Sequence, residues 1–168
     1  MVIDQNLLNE LSDFYKELDK AINRIEKYHK DNMNCGKGCK DCCIDGITVF
    51  EVEAKYIKHH NPTLRNFKPV NKKGCPYLDE KNECIIYETR PYICRTQGLP
   101  LRWIDDSGNE AVEMRDICPL NEKQINVESL PQKQVWYIGP FESKLASLQF
   151  KYGKGKMKRV ELKTLFKG

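Results

Sequence analysis

Nine consecutive residues, Cys35 to Cys43, read CGKGCKDCC and hold four thiols, half of the eight in this 168-residue chain. The others are Cys75, Cys84, Cys94 and Cys118, so every cysteine lies between positions 35 and 118. A thiolate is a strong, soft ligand for zinc and for iron–sulfur clusters. Spacings of two and three residues let one tight loop wrap several sulfurs around a centre. Gly36 and Gly38 allow the backbone to take positive φ and turn N–H groups toward sulfur. Lys37 and Lys40 offset the charge of gathered thiolates. All eight cysteines are therefore candidate metal ligands. Neighbouring side chains on an extended backbone point to opposite sides. Cys42 and Cys43 are thus expected to serve different centres, or one binds while the other packs. Eight sulfurs make two four-thiolate sites or one cluster with spares, and spacing leaves both open.

Other uses of the thiols fit less well. An even cysteine count permits a disulfide framework, but the N-terminus has no basic start followed by an apolar core, and the chain is longer than disulfide-stapled mini-domains. The Gly, Lys and Asp around the sulfurs are not those of a packed core segment. Cys39-Lys40-Asp41-Cys42 has the spacing of a redox dithiol, without the strand–helix context of one. Cys35-x3-Cys39-x2-Cys42 also matches the cluster loop of radical S-adenosylmethionine enzymes. No alternating βα pattern accompanies it, and Asp41 stands where an aromatic residue is usual. His29, His59 and His60 lack zinc-finger spacing and are expected at the surface. Asp105-Asp106 is expected to form a turn.

The segments CGKGCKDCC, CPYL, CIIYETRPYICR and CPL together resemble the CxxCxxCC family of zinc- or iron-chelating domains, the YkgJ-like cysteine-cluster proteins. The string Tyr87-Glu88-x-Arg90-Pro91-x-x-Cys94-Arg95 is its most specific part. The resemblance covers about residues 35 to 118. It implies metal or iron–sulfur binding, and some longer relatives are flagellin lysine methylases that share this module alone. Arg90 and Arg95 are expected to bind the centre indirectly, donating N–H groups to its sulfurs and holding its negative charge.

The elements that must position these groups read as an α+β fold: a small irregular cysteine-rich body with short hairpins, flanked by helices. Residues 3 to 31 predict one long helix, with Leu7, Leu11, Phe14, Leu18, Ala21, Ile25 and Tyr28 at alternating steps of four and three and Asp4 as a cap. It is expected to lie across the protein's own core, with a coiled-coil seam as the alternative. ITV at 47–49 predicts a strand, and 50–60 a helix stopped by Asn61-Pro62. Residues 75–87 predict a hairpin around DEKN, 88–95 one or two helical turns, and 101–116 a second hairpin around DDSGN. Helix is expected again from Val127, broken or kinked at Gly139-Pro140, with a last short helix over RVELKTLF. The organisation is one domain: an N-terminal helix (1–34), the cysteine-cluster module (35–118), a helical part (119–150) and a basic tail (151–168).

Net charge is +4, and the tail holds seven basic residues against one acid, Glu161. Such a tail suits nucleic acid, anionic lipid or an acidic partner, or is simply a solvated end. No run approaches the roughly 18 apolar residues of a membrane span. The expected location is the cytoplasm, where thiols stay reduced. The functional expectation is an iron–sulfur (4Fe–4S) protein, an oxidoreductase or accessory protein serving an unknown redox or protein partner. A zinc-stabilised binding module without catalysis is the alternative, and a methyltransferase-type enzyme like the longer relatives a second. Cys-Pro pairs at Cys75 and Cys118, like the ends of ferredoxin ligand runs, tilt the metal toward iron.

Overall fold

A computed structural model describes residues 4–36, 38–70 and 74–165. The expectations that touch Ile3, Lys37, residues 71–73, Phe166 and Lys167 lie outside them. Five helices, α1 (Gln5–His29), α2 (Glu51–His60), α3 (Tyr92–Thr96), α4 (Pro119–Glu122) and α5 (Ile138–Tyr152), are joined by short strands and 3-10 turns. Strands β1 (Thr48–Phe50) and β5 (Arg159–Glu161) pair antiparallel. The second sheet has the order β3-β2-β4: β2 (Leu101–Asp105) is antiparallel to β3 (Val112–Asp116) and parallel to β4 (Trp136–Tyr137). The α+β class follows.

Helix α1 starts where the Asp4 carboxylate accepts the N–H groups of Asn6 and Leu7, at 2.8 and 3.4 Å. Such a cap is worth about 1 kcal/mol. Its buried residues are Leu7, Leu8, Leu11, Phe14, Tyr15, Leu18 and Ile22. The buried stripe begins on the expected heptad positions and then drifts by one residue, so that Ile22 and His29 are covered while Tyr28 is 49% exposed. A straight helix at 3.6 residues per turn slides off a seven-residue repeat in this way. That drift marks a helix on its own core rather than a coiled-coil seam. His29, expected at the surface, is buried instead, with its Nε2 2.8 Å from the Gln134 carbonyl oxygen. His59 and His60 are exposed.

Two cores result. The first joins the α1 stripe to Val52, Tyr56, Tyr92, Leu99, Trp136 and Leu145. Inside it lies a carboxylate that no sequence pattern flagged. Glu53 accepts the Tyr15 hydroxyl (2.9 Å) and the Tyr92 N–H (2.8 Å) on one oxygen, and the Phe50 N–H (3.3 Å) on the other. Burial raises its pKa, opposed by those donors. Glu53 thereby ties α1, the start of α2 and the start of α3 together. The second core contains Val49, Ala54, Ile57, Leu64, Tyr77, Leu78, Ile86, Leu162 and Leu165.

Four local expectations change. The helix expected from Val127 starts only at Ile138, and residues 127–137 form two 3-10 turns and β4 instead. The 75–87 hairpin shrinks to one bridge, Leu78 opposite Cys84, because Asn82 takes a left-handed turn (φ 62°) and the chain then enters a 3-10 turn at Tyr87–Thr89. Gly139-Pro140 opens α5 rather than breaking it, since a first-turn proline lacks an N–H that would have no partner there anyway. RVELKTLF begins as β5, followed by a 3-10 turn at Leu162–Thr164.

The basic tail is part of the body. Lys151 pairs with Glu10 at 2.6 Å, Lys158 with Glu51 at 2.7 Å and Lys163 with Asp45 at 3.3 Å. Gln149, fully buried, accepts the Val52 N–H and donates to the Lys156 carbonyl. Leu162 and Leu165 are buried in the second core.

Replacing Glu53 by Ala leaves three donors in the first core without their acceptor, and each such group costs about 1–3 kcal/mol. The expected loss is roughly 3 kcal/mol in a urea-unfolding measurement; a loss within about 0.5 kcal/mol, the range of neutral surface changes, contradicts this role.

Candidate metal centre

After α1 the chain is fastened by Asn34, whose N–H donates to the Asn121 side-chain oxygen at 2.7 Å and whose amide donates to the Leu120 carbonyl at 2.7 Å. The cysteine loop that follows is a series of tight turns. The Cys39 N–H reaches the Gly36 carbonyl (3.1 Å), the Cys43 N–H the Lys40 carbonyl (2.8 Å) and the Ile44 N–H the Cys42 carbonyl (3.1 Å). Gly38 takes the left-handed conformation (φ +87°). Gly36 does not, contrary to the expectation for both glycines. Because Cys42 and Cys43 sit in a turn, their sulfurs do not diverge as on an extended strand. The Cys42 thiol donates to the Cys43 sulfur, which drives the Cys42 pKa far up and lowers that of Cys43.

The thiols divide by environment. Cys43, Cys75, Cys84 and Cys94 pack against the second core; Cys35, Cys39, Cys42 and Cys118 do not. The first group comes from four separate segments. Cys75 is fixed by its N–H to the Cys43 carbonyl (3.0 Å), Cys84 by the bridge to Leu78, and Cys94 by the first turn of α3. They line a cavity of about 560 Å³ with Cys39, Cys42, Tyr77, Arg90 and Leu162. Burial pushes the Cys94 thiol up to about 12, with Cys75 and Cys84 adding to the rise. Burial likewise raises Cys75 and Cys84. A bound cation would remove both penalties, since it neutralises the thiolates and draws their protons off.

On the other side, Cys118 caps α4 and lines an open groove with Cys42. The Cys35 sulfur accepts an N–H from the Asn121 amide at 3.3 Å. Gly98 lies against the same sulfur: a Cβ at Gly98 would come within 2.3 Å of it. Neither Asn121 nor Gly98 carries a signal in sequence, because their role exists only once α4 and the α3–β2 turn meet the cysteine loop.

All eight thiols are unbridged. Among the described residues, no three Cys, His, Asp or Glu side chains already stand together as a closed ligand set. The donors are soft, grouped and next to a cation, and so suit a thiophilic metal, but they surround space rather than a point. The cation is Arg90. Its guanidinium stacks on the Tyr87 ring at 3.6 Å, and its charge partly opposes the rise of the Cys42, Cys84 and Cys94 thiols. Arg95 departs from the expectation that it donates to sulfur. It binds both Asp19 oxygens, at 2.7 and 2.9 Å, and the carbonyls of Arg90 and Glu88. It lies over the Tyr15 ring as well. Arg95 thus clamps the Cys94 segment to α1, a fork geometry that lysine cannot copy.

An α+β frame holding eight unbridged thiols, six of them around an Arg-flanked cavity, defines a cysteine-cluster protein built for metal. Residues 34–119 match the family model CxxCxxCC, described as "Putative zinc- or iron-chelating domain", and the chain belongs to that family. No curated protein and no solved structure matches it.

Gly98→Ala meets both a positive φ (+91°) and the Cys35 sulfur, so it is expected to cost about 1–3 kcal/mol. Gly36→Ala has open space and ordinary φ, and should be neutral or stabilising by about 0.5 kcal/mol. Thermal denaturation of the two variants checks the contrast; equal effects contradict the assigned contact.

Proposed function

We propose that this protein carries an iron–sulfur cluster of the 4Fe–4S type, bound through its cysteines, and that it serves a redox or accessory role with a partner protein. One observation carries the reading. Thiols from four distant segments, Cys43, Cys75, Cys84 and Cys94, surround one cavity against a packed core without closing on a single point. One zinc ion holds its sulfurs at about 2.3 Å, so its ligands crowd closely together. A multi-iron cluster accepts ligands spread around a larger body and suits a cavity of about 560 Å³ better. When bound, such a cluster supplies one-electron chemistry.

The chain's own residues supply the setting. Arg90 offsets the negative charge of thiolates. Cys75 and Cys94, with Tyr77 and Leu162 beside them, keep water from one side of the cavity. Lower solvent access and nearby positive charge both move a cluster's potential. Reduced thiols also suit a cytoplasmic setting, and among the described residues no helix is long and apolar enough to cross a membrane. Three of the tail's lysines, Lys151, Lys158 and Lys163, pair with Glu10, Glu51 and Asp45, which weakens the case for a nucleic-acid arm.

Protein purified without oxygen should be brown, with broad visible charge-transfer absorption and iron matched by acid-labile sulfide. Colourless protein with stoichiometric zinc would replace the cluster by a zinc-stabilised module. In either case, stripping the metal should lower the melting temperature, because ligation energy is folding energy. An unchanged melting temperature would show that these thiols hold no structural metal.

A further inference from the structure

We infer that the chain has a small-molecule site apart from its thiols. It is the cavity between α3, α5 and the β1–β5 ribbon, fitted to a small zwitterion of the amino-acid class, with Arg159 taking the carboxylate and Glu142 the ammonium group. This goes beyond the proposed metal binding and does not depend on it, since no cysteine is among the described residues that line the cavity.

The cavity holds about 250 Å³, below the roughly 300–1,000 Å³ of sites for drug-sized ligands, so its occupant has few heavy atoms. The inner wall is apolar and buried. Phe50, at the end of β1, Tyr92, at the start of α3, and Leu145, midway along α5, meet there. Along α5, Ile138, Glu142 and Leu145 follow at steps of four and three, so one face of that helix lines the space. Helix α3 stands between two cavities: Tyr92 and Thr96 line this one, Cys94 lines the thiol cavity, and Gln97 lines both.

Three charged groups interrupt the apolar lining. Arg159 is held at the rim, where its Nε donates to the Thr48 hydroxyl (3.2 Å) and its Nη2 to the Thr48 carbonyl (2.9 Å). Its guanidinium lies over the Phe50 ring at 4.6 Å, and among the described residues its Nη1 has no partner. Glu142 is exposed at the rim, and no cation or donor among the described residues pairs with it. Glu53 is only 3% exposed, and its three donors, the Tyr15 hydroxyl and the N–H groups of Tyr92 and Phe50, are all uncharged. A buried carboxylate bonded by no cation favours a positive group nearby.

The mixture of signs selects the ligand. A simple amine satisfies the acids but sets its charge against Arg159. A simple carboxylate answers Arg159 but adds a third anion to two. A zwitterion with a short aliphatic chain matches every part of the lining. Its carboxylate takes the free N–H groups of a guanidinium already fixed in place, its ammonium lies on the acidic side, and its chain rests on Phe50, Ile138 and Leu145.

The test is calorimetric titration of the full chain with three probes of one shape. These are L-leucine, 4-methylpentanoate, which lacks the ammonium group, and 3-methylbutylamine, which lacks the carboxylate. L-Leucine should bind at a single site, and each probe of single charge about 10-fold more weakly, the loss of one charge-assisted contact. Glu142→Gln changes an exposed side chain without a partner, so the melting temperature should hold while L-leucine affinity falls about 10-fold. Arg159→Met should cost a similar factor and abolish the advantage of L-leucine over 3-methylbutylamine, a change of selectivity that lost stability alone does not produce. Absence of L-leucine binding at millimolar concentration overturns the site. So do equal affinities for the three probes, or an affinity that neither variant moves. Metal counts on the same preparation bear on the thiols alone, so failure of either proposal leaves the other standing.

Discussion

Gathering thiols where water is scarce is costly unless something positive joins them, and the structure is organised around that constraint. Burial raises Cys75, Cys84 and Cys94; Cys84 adds to the rise of Cys75, and both add to that of Cys94. A chain with no such centre would scatter its cysteines or bridge them. Here eight remain unbridged within one module, and Arg90 lines the same cavity as six of them. The energetic logic is that of a site whose folded form is incomplete until a cation enters.

The frame holds that arrangement by unusually specific polar contacts, not by sheet. Its strands are two to five residues long and supply little ladder energy. In their place, Glu53 ties three helices through one buried carboxylate, Arg95 fixes the Cys94 segment to α1, and Asn121 locks the start of the cysteine loop to α4. Each is a buried or half-buried group with its partners satisfied, the condition under which polar interiors specify one arrangement. The 3-10 turn after β5 completes the second core with Leu162, whose carbonyl accepts the Tyr77 hydroxyl at 2.7 Å. The family match ends at residue 119, yet both the tail and Asn121 contribute to the surroundings of the cysteines.

Much of this was legible in residue order. The long helix, the 50–60 helix and the β2–β3 hairpin declare themselves by period, cap and turn chemistry, which act over a few residues. The eight thiols and their grouping between 35 and 118 are equally local facts. Less legible was anything set by contact across the chain. Arg95 follows Cys94 directly, a position that suggests an N–H donor to sulfur, but its reach carries the guanidinium away to Asp19. His29 looks like a polar helix end until the Gln132–Gln134 turn covers it.

Sequence by itself determined the chemistry of this protein: soft sulfur ligands, in short chelating steps, within a belonging family module. Tertiary structure alone decided which sulfurs share a neighbourhood. Cys43 and Cys94 are far apart along the chain and meet on one core. The reason is that ligand type is a property of each side chain, whereas partnership depends on loop turns, on packing against Tyr77 and Ile86, and on where distant segments are pinned.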